Sequence, residues 1–153
     1  FFTQKRIGLN KSVIKIIKIK TMDGNKISKF SHFLRKTKLD EIPQLLSIIQ
    51  GDLNFIGPRP LLLEYNDFYK KSEEIRFTIK PGITGLSQIK SSSSTSWDIR
   101  LRWDIIYVSK KSFKLDIFIF FNTIKLIYLN LFNKGDSSDN FVRLDEIRKS
   151  NDK

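Results

Sequence analysis

The chain opens on two short runs, the second rich in β-branched residues. "FFTQKRIG" and "SVIKIIKIKTM" flank a Gly8-Leu9-Asn10 turn, and in the second run Ile14, Ile16, Ile17 and Ile19 alternate in part with Lys15, Lys18 and Lys20. Such residues fit a pleated, half-buried surface, so the pattern predicts a β-hairpin. The Asp-Gly-Asn content of "MDGNK" predicts a turn after it. The period then changes. "SKFSHFLRK" spaces Phe30, Phe33 and Leu34 as a short helix does. "LDEIPQLLSIIQG" predicts a second helix, with Leu39, Ile42, Leu45, Leu46 and Ile49 as its buried face and Gly51 closing it. Pro43 is compatible with that helix only near its first turn, where N–H groups lack partners. Asp40 and Glu41 must therefore sit at or beside the helix start.

Downstream, "GPRP" (57–60) predicts a rigid bend that runs into a helix from Leu61, and a further short helix is expected around Glu73 to Phe77. "KPGITG" reads as a turn, "LSQI" as a strand and "SSSST" (91–95) as a flexible loop. "SWDIRLRWDIIYVSKK" and "SFKLDIFIFFNTIKLIYLNLF" predict two longer helices. Beyond Asn133 the chain turns polar and charged, which predicts a loosely ordered tail. The reading is one domain over 1–132 and a polar C-terminal tail over 133–153. Its fold class is α/β of the mixed α+β kind. A small hairpin and short helices surround a phosphate site, and amphipathic helices lie at an interface.

Composition narrows the chemistry. The chain has no cysteine, which removes disulfides and cysteine-ligated zinc, and His32 is the lone histidine. Any metal would be a hard cation held by oxygen ligands. A formal charge of +12 draws anions, whether nucleic acid, acidic lipid or phosphorylated metabolites. No signal peptide is evident, and a Phe at position 1 suggests a fragment or a processed product. The longest apolar run, Phe113 to Phe132, is interrupted by Lys114, Asp116, Asn122, Lys125 and Asn130. It suits either a buried helix or a membrane interface.

Each candidate site has a structural and a chemical reading. Asp40 and Glu41 suit a helix start, where carboxylates are favoured. Equally, they suit a nucleophile and its acid–base or metal partner. Arg59, between two prolines, is either an exposed loop arginine or a guanidinium on a stiff support that binds phosphate. The glycines of "KPGITG" either make a turn or form an anion nest. Lys15, Lys18 and Lys20 are either a solvated strand face or an anion-binding row. Trp97 and Trp103 read as core or interface anchors.

In this order the pieces resemble the bacterial sugar transferases, that is, the monotopic polyprenyl-phosphate phosphoglycosyl transferases. The resemblance runs from "FFTQKRIG" and "IIKIKTM" through "RKTKLDEIPQLLSIIQGDLNFIGPRPLLLEY" and "IKPGITGLSQI" to "WDIIYVSKKSFKLDIFI". It implies transfer of a phospho-sugar from a UDP-sugar to polyprenyl phosphate, with Mg²⁺ bound and UMP released. It makes Asp40 the nucleophile and a metal ligand, and Glu41 its assistant. Arg59, Arg35, Lys18 and Lys20 become phosphate- or nucleotide-binding residues. It also implies an anionic membrane surface as partner, no nucleic acid, and a place on the cytoplasmic face of the bacterial inner membrane.

The chain departs from that pattern in several places. Such enzymes open on a hydrophobic segment; the expectation here is that none precedes Phe1, which would leave Phe113 to Phe132 for membrane contact. Leu86 stands where tryptophan is usual, "KSSSSTSW" replaces a loop that often carries arginine, and Lys20 replaces a common arginine. Two rival readings are a non-catalytic basic module for anionic membrane or nucleic acid, and an inactive truncated relict.

Overall fold

The computed structural model describes residues 1–22, 28–92, 94–132 and 143–151, so the Asp-Gly-Asn turn lies outside the described residues. The hairpin is present as β1 (Phe2–Ile7) and β2 (Val13–Lys18), paired antiparallel. Opposed residues share a face. Phe2 and Lys18, Gln4 and Ile16, and Arg6 and Ile14 therefore point the same way. That face buries Ile14 and Ile16 against Leu53. It also divides the lysine row, because Lys15 pairs with Lys5 on the other face.

Helix α1 (Lys29–Lys36) starts at Ser28, whose hydroxyl accepts a 3.1 Å bond from the Ser31 N–H. A 3₁₀ turn over Leu39–Glu41 follows, and Pro43 then caps α2 (Gln44–Ile49). The proline is thus where it must be. The predicted buried face is not. Glu41, Gln44 and Ser47 point inward, with Ser47 only 2% exposed, while Leu39, Ile42, Leu45, Leu46 and Ile49 face out, Ile49 at 82%. Phe30 and Phe33 of α1 are exposed as well. This polar-in, apolar-out helix reverses the soluble pattern because its inner face serves a charged cleft.

A short parallel pair anchors the middle of the chain: β3 (Asn54–Ile56) beside β4 (Gly82–Thr84). The crossover runs through 3₁₀ turns over Leu63–Phe68 and Lys71–Thr78. The first stands where a helix from Leu61 is expected, since Leu62 is still extended, and the second covers the short helix expected around Glu73 to Phe77. "LSQI", expected as a strand, is instead part of α3 (Leu86–Lys90), with the strand lying just before it. Four residues are too few for periodicity to separate the two states. Three glycines interlock this region. A Cβ on Gly82 would come 2.1 Å from the Gly57 nitrogen, and one on Gly85 would come 2.2 Å from the Gly57 oxygen. The Gly57 bend and the Gly82 strand therefore touch backbone to backbone.

Helices α4 (Trp97–Lys110) and α5 (Phe113–Phe132) match expectation. Trp97 and Leu101 of α4 join Leu61 and Tyr65 in one core cluster. Tyr107 joins Leu86 and Ile119 in another, on which Trp103 packs. The tryptophans are therefore core anchors. Ile119 is the buried residue of α5, and the aromatic side chains Phe113, Phe118, Phe120, Phe121 and Phe132 are exposed. Of the two readings for this helix, burial in a core is set aside.

The expectation of a loosely ordered tail is corrected over Leu144–Asn151, which forms a helix, α6; 133–142 and 152–153 lie outside the described residues. Leu144 is fully buried against the Tyr65–Trp97 cluster, and Arg148 bonds both Glu73 oxygens at 2.7 and 2.8 Å. Ile147 packs on the same cluster and Arg143 pairs with Glu64, so a few apolar and basic residues dock an otherwise polar segment.

The reversed face of α2 yields a direct test. Leu46→Ser in detergent-free buffer should change unfolding free energy by no more than about 0.5 kcal/mol. Ser47→Leu should cost about 1–3 kcal/mol by overpacking. Urea midpoints measure both.

Candidate active site

The acid pair shares one tight turn yet divides between two environments. Lys38 enters the turn with a left-handed φ of 60°, and the Glu41 N–H returns to the Lys38 carbonyl at 3.0 Å. The Ile19 N–H, just past β2, donates to the Asp40 carbonyl at 2.9 Å and fastens the turn to the hairpin. Successive side chains then diverge. Glu41 points into the body, where Oε1 accepts from Lys18 Nζ at 2.6 Å and from Arg59 Nη2 at 3.2 Å. Burial opposes ionisation of Glu41. Arg59, Lys18 and Lys38 outweigh it and hold the carboxyl well below the ordinary carboxylate range.

Asp40 is in the opposite condition. Its Oδ1 is buried and has no hydrogen-bond partner. Burial, and then the charge of Glu41, raise its pKa above the ordinary aspartate value, against the pull of Lys18 and Lys38. One acid is thus a fixed anion and the other an underused, destabilised carboxylate. Neighbouring carboxyls pushed apart in this way take different roles.

Arg59 is delivered from a stiff support. Prolines flank it, and the Gly82 N–H donates to the Pro58 carbonyl at 3.0 Å. That bond spends an N–H that an anion nest at "KPGITG" would need, so the loop serves as scaffold. Arg76 completes the support. Its Nη2 donates to the Arg59 carbonyl at 2.7 Å and to buried Asp104 Oδ2 at 2.9 Å, and its Nη1 donates to the Tyr69 hydroxyl at 3.0 Å.

The structure therefore brings Lys18, Glu41 and Arg59 together, with Asp40 beside them. Arg35 lies half-buried in the last turn of α1, and Lys20 lies exposed beyond β2. Among the described residues, the ion pairs to Glu41 come from Lys18 and Arg59. Sequence reasoning missed Lys38 and Arg76. Lys38 is one lysine among many, and the local run around Arg76 carries no motif. Reasoning also missed Arg6, which lines a narrow cleft with Ile16, Lys18, Gln44, Arg59, Pro60 and Gly82.

Among the described residues no group of three or more His, Cys, Asp or Glu side chains is gathered for a metal. Magnesium does not need one, because it commonly uses one or two carboxylates and completes its shell with substrate phosphates and water. The orphaned Asp40 Oδ1 fits that limited role.

A half-buried cleft of cations around one ionised carboxylate, beside a second carboxylate with an unpartnered oxygen, suits chemistry on a phosphorylated substrate. Comparison with known proteins agrees. The bacterial sugar transferase family profile matches residues 1–130, and the chain belongs to that family. It is 34% identical to the uncharacterized sugar transferase EpsL of Bacillus subtilis, covering 99% of this chain and 80% of that protein. Identity is also 34% to the undecaprenyl-phosphate galactose phosphotransferase of Salmonella typhimurium, over 71% of this chain and 23% of the relative. The UDP-glucose:undecaprenyl-phosphate glucose-1-phosphate transferase of Escherichia coli is 31% identical, over 84% of this chain and 32% of its own length.

The carboxylate hub carries a pH signature. A carboxyl whose folded pKa is depressed contributes stability above its unfolded pKa and loses it as pH falls toward the folded value. Stability should therefore decline from about pH 4.5 downward. Glu41→Gln strands two cations. It should cost about 3 kcal/mol at pH 7 and flatten the acid slope in chemical unfolding across pH 2–7.

Proposed function

We propose that the chain transfers a sugar-1-phosphate from a UDP-sugar to polyprenyl phosphate at an anionic membrane surface. This would be an early step in building a membrane-linked polysaccharide. The observation that carries the reading is the split acid pair. In a chain of the sugar transferase family, Glu41 is locked between Lys18 and Arg59, while Asp40 keeps a buried oxygen without a partner. The printed names of the Salmonella and Escherichia relatives point to undecaprenyl phosphate as acceptor, and the Escherichia name also points to a UDP-sugar donor. This chain spans 23% and 32% of those relatives, so their activities enter as support for a proposal.

The mechanism uses one carboxylate twice. An Asp40 oxygen attacks the β-phosphorus of the donor, forming an Asp–O–P bond as the anhydride P–O bond breaks. UMP leaves with the bridging oxygen and its electron pair. A phosphate oxygen of the polyprenyl acceptor then attacks the same phosphorus, the Asp–O–P bond breaks, and the Asp40 carboxylate is restored. Lys18 and Arg59 hold the phosphoryl oxygens and lower the repulsion an anionic nucleophile meets. Glu41 keeps both cations aimed, and Arg35 and Lys20 extend the basic surround. Asp40 would hold Mg²⁺, which when bound would neutralise phosphate charge.

The membrane part rests on the outer faces. The outward apolar residues of α1 and α2 join a helix, α5, that is long and apolar enough by composition to cross a membrane. Helix α1 packs beside α5. Exposed Lys114 and Lys125 stud α5, which suits a helix lying along an anionic headgroup layer with its rings in the acyl boundary. We place that layer on the cytoplasmic face of the inner membrane.

Turnover is read as UMP released from UDP-sugars in detergent with Mg²⁺ and undecaprenyl phosphate. Asp40→Asn should lower it by roughly 10³-fold or more, as loss of a nucleophile does. The acid limb of the wild-type profile should lie above the ordinary aspartate pKa of about 3.9. Undiminished turnover in Asp40→Asn would remove Asp40 from the mechanism.

A further inference from the structure

The cleft holds a cation that the mechanism above does not use. Arg6 sits on β1, on the same hairpin face as Gln4 and Lys18. Its Nη2 donates to Gln4 Oε1 at 2.6 Å, and its Nη1 reaches the Pro60 carbonyl at 3.5 Å, the outer limit for such a bond. Among the described residues it forms no ion pair with a carboxylate. A guanidinium carries five N–H donors, so most of the fork is unspent. The side chain is half-buried and lines the cleft beside Lys18 and Arg59.

This placement is electrostatically unfavourable in isolation. Burial, and then the like charge of Arg59, pull the Arg6 pKa down to about 10. Among the described residues, Arg6, Lys18 and Arg59 line the cleft and Glu41 is the carboxylate bonded to two of them, which leaves two positive charges in excess there. A stable fold does not gain by crowding like charges in a half-buried cleft. An anion that enters the cleft would relieve the excess, and a pyrophosphate diester carries two negative charges. Arg6 and Arg59 offer planar forks that suit two phosphoryl groups, whereas Lys18 is a point charge.

We propose that Arg6 is a substrate-binding residue, whose fork grips the second phosphoryl group of a pyrophosphate-bridged ligand while Arg59 and Lys18 hold the first. This deepens the transferase reading and rests on it for the identity of the ligand. The grip itself depends only on the charge arrangement. Gln4 orients the fork from the same strand. The Arg6–Leu62 bridge and the 3.0 Å bond from the Ile7 N–H to the Leu61 carbonyl fix that strand beside the end of the Gly-Pro-Arg-Pro bend.

The test is calorimetric binding to the full chain in detergent, with inorganic pyrophosphate, inorganic phosphate and a UDP-sugar as separate probes. Arg6→Gln should weaken pyrophosphate about tenfold and phosphate less than twofold, as loss of a charge-assisted fork does. Arg6→Lys keeps the charge without the fork and should fall between. Lys5→Gln, on the opposite hairpin face, should bind as wild type. Unfolding curves identify a misfolded variant, in which case Arg6→Lys decides. Equal pyrophosphate affinity in wild type and both Arg6 variants would overturn the proposal, as would equal losses for pyrophosphate and phosphate. Arg6-dependent pyrophosphate binding that gains nothing from uridine and sugar would keep the grip and remove the transferase reading.

Discussion

The Glu41 carboxylate is the joint on which the site depends. One of its oxygens receives Lys18 from the hairpin and Arg59 from the proline-flanked bend, so three distant stretches of chain meet at one atom. Buried ion pairs of this kind contribute little net stability, because desolvation offsets the attraction. What they supply here is placement. With Glu41 committed to two cations, half-buried Asp40 on the same turn keeps one buried oxygen, Oδ1, without a hydrogen-bond partner, and its pKa is raised. The difference between the two acids follows from which side of the turn each one faces.

The same commitment explains the shape of α2. Its inner face must accept Glu41 and polar neighbours at a charged cleft, so Gln44 and Ser47 are buried and the leucines and isoleucines turn outward. A soluble fold would be penalised for that arrangement. Helix α1, which packs beside α5, likewise turns aromatic rings outward, as α5 does. On the proposed function, a site that joins a nucleotide sugar to a lipid phosphate would need an apolar side of this kind. Support from behind comes through packed backbone. Gly57 and Gly82 touch, and Arg76 ties the Arg59 carbonyl to Asp104.

Much of this was legible in the chain. The hairpin, α1, α4 and α5 follow from period and β-branching, and Pro43 alone placed the acid pair outside regular helix. The hydrophobic period of α2 was read correctly as a helix, but with the wrong side as core. Period locates an apolar face without saying what covers it. Leu86 to Ile89 was too short to separate strand from helix, and Leu144 gave no local hint that it completes a distant core. At the site, Asp40, Glu41, Lys18 and Arg59 stood out by motif. Arg6 and Arg76 did not, because their roles arise from register and from a backbone carbonyl. For Arg6 a signal existed: pairing the two strands sets it on the Lys18 face.

The claim that Asp40 becomes covalently loaded admits one direct measurement. Intact-protein mass spectrometry would follow incubation with a UDP-sugar and Mg²⁺, with acceptor withheld. The account predicts a mass gain of one sugar-phosphate, mapped to Asp40 after proteolysis and discharged when polyprenyl phosphate is added. A chain that turns over while never carrying that adduct, or that carries it on another residue, would contradict it.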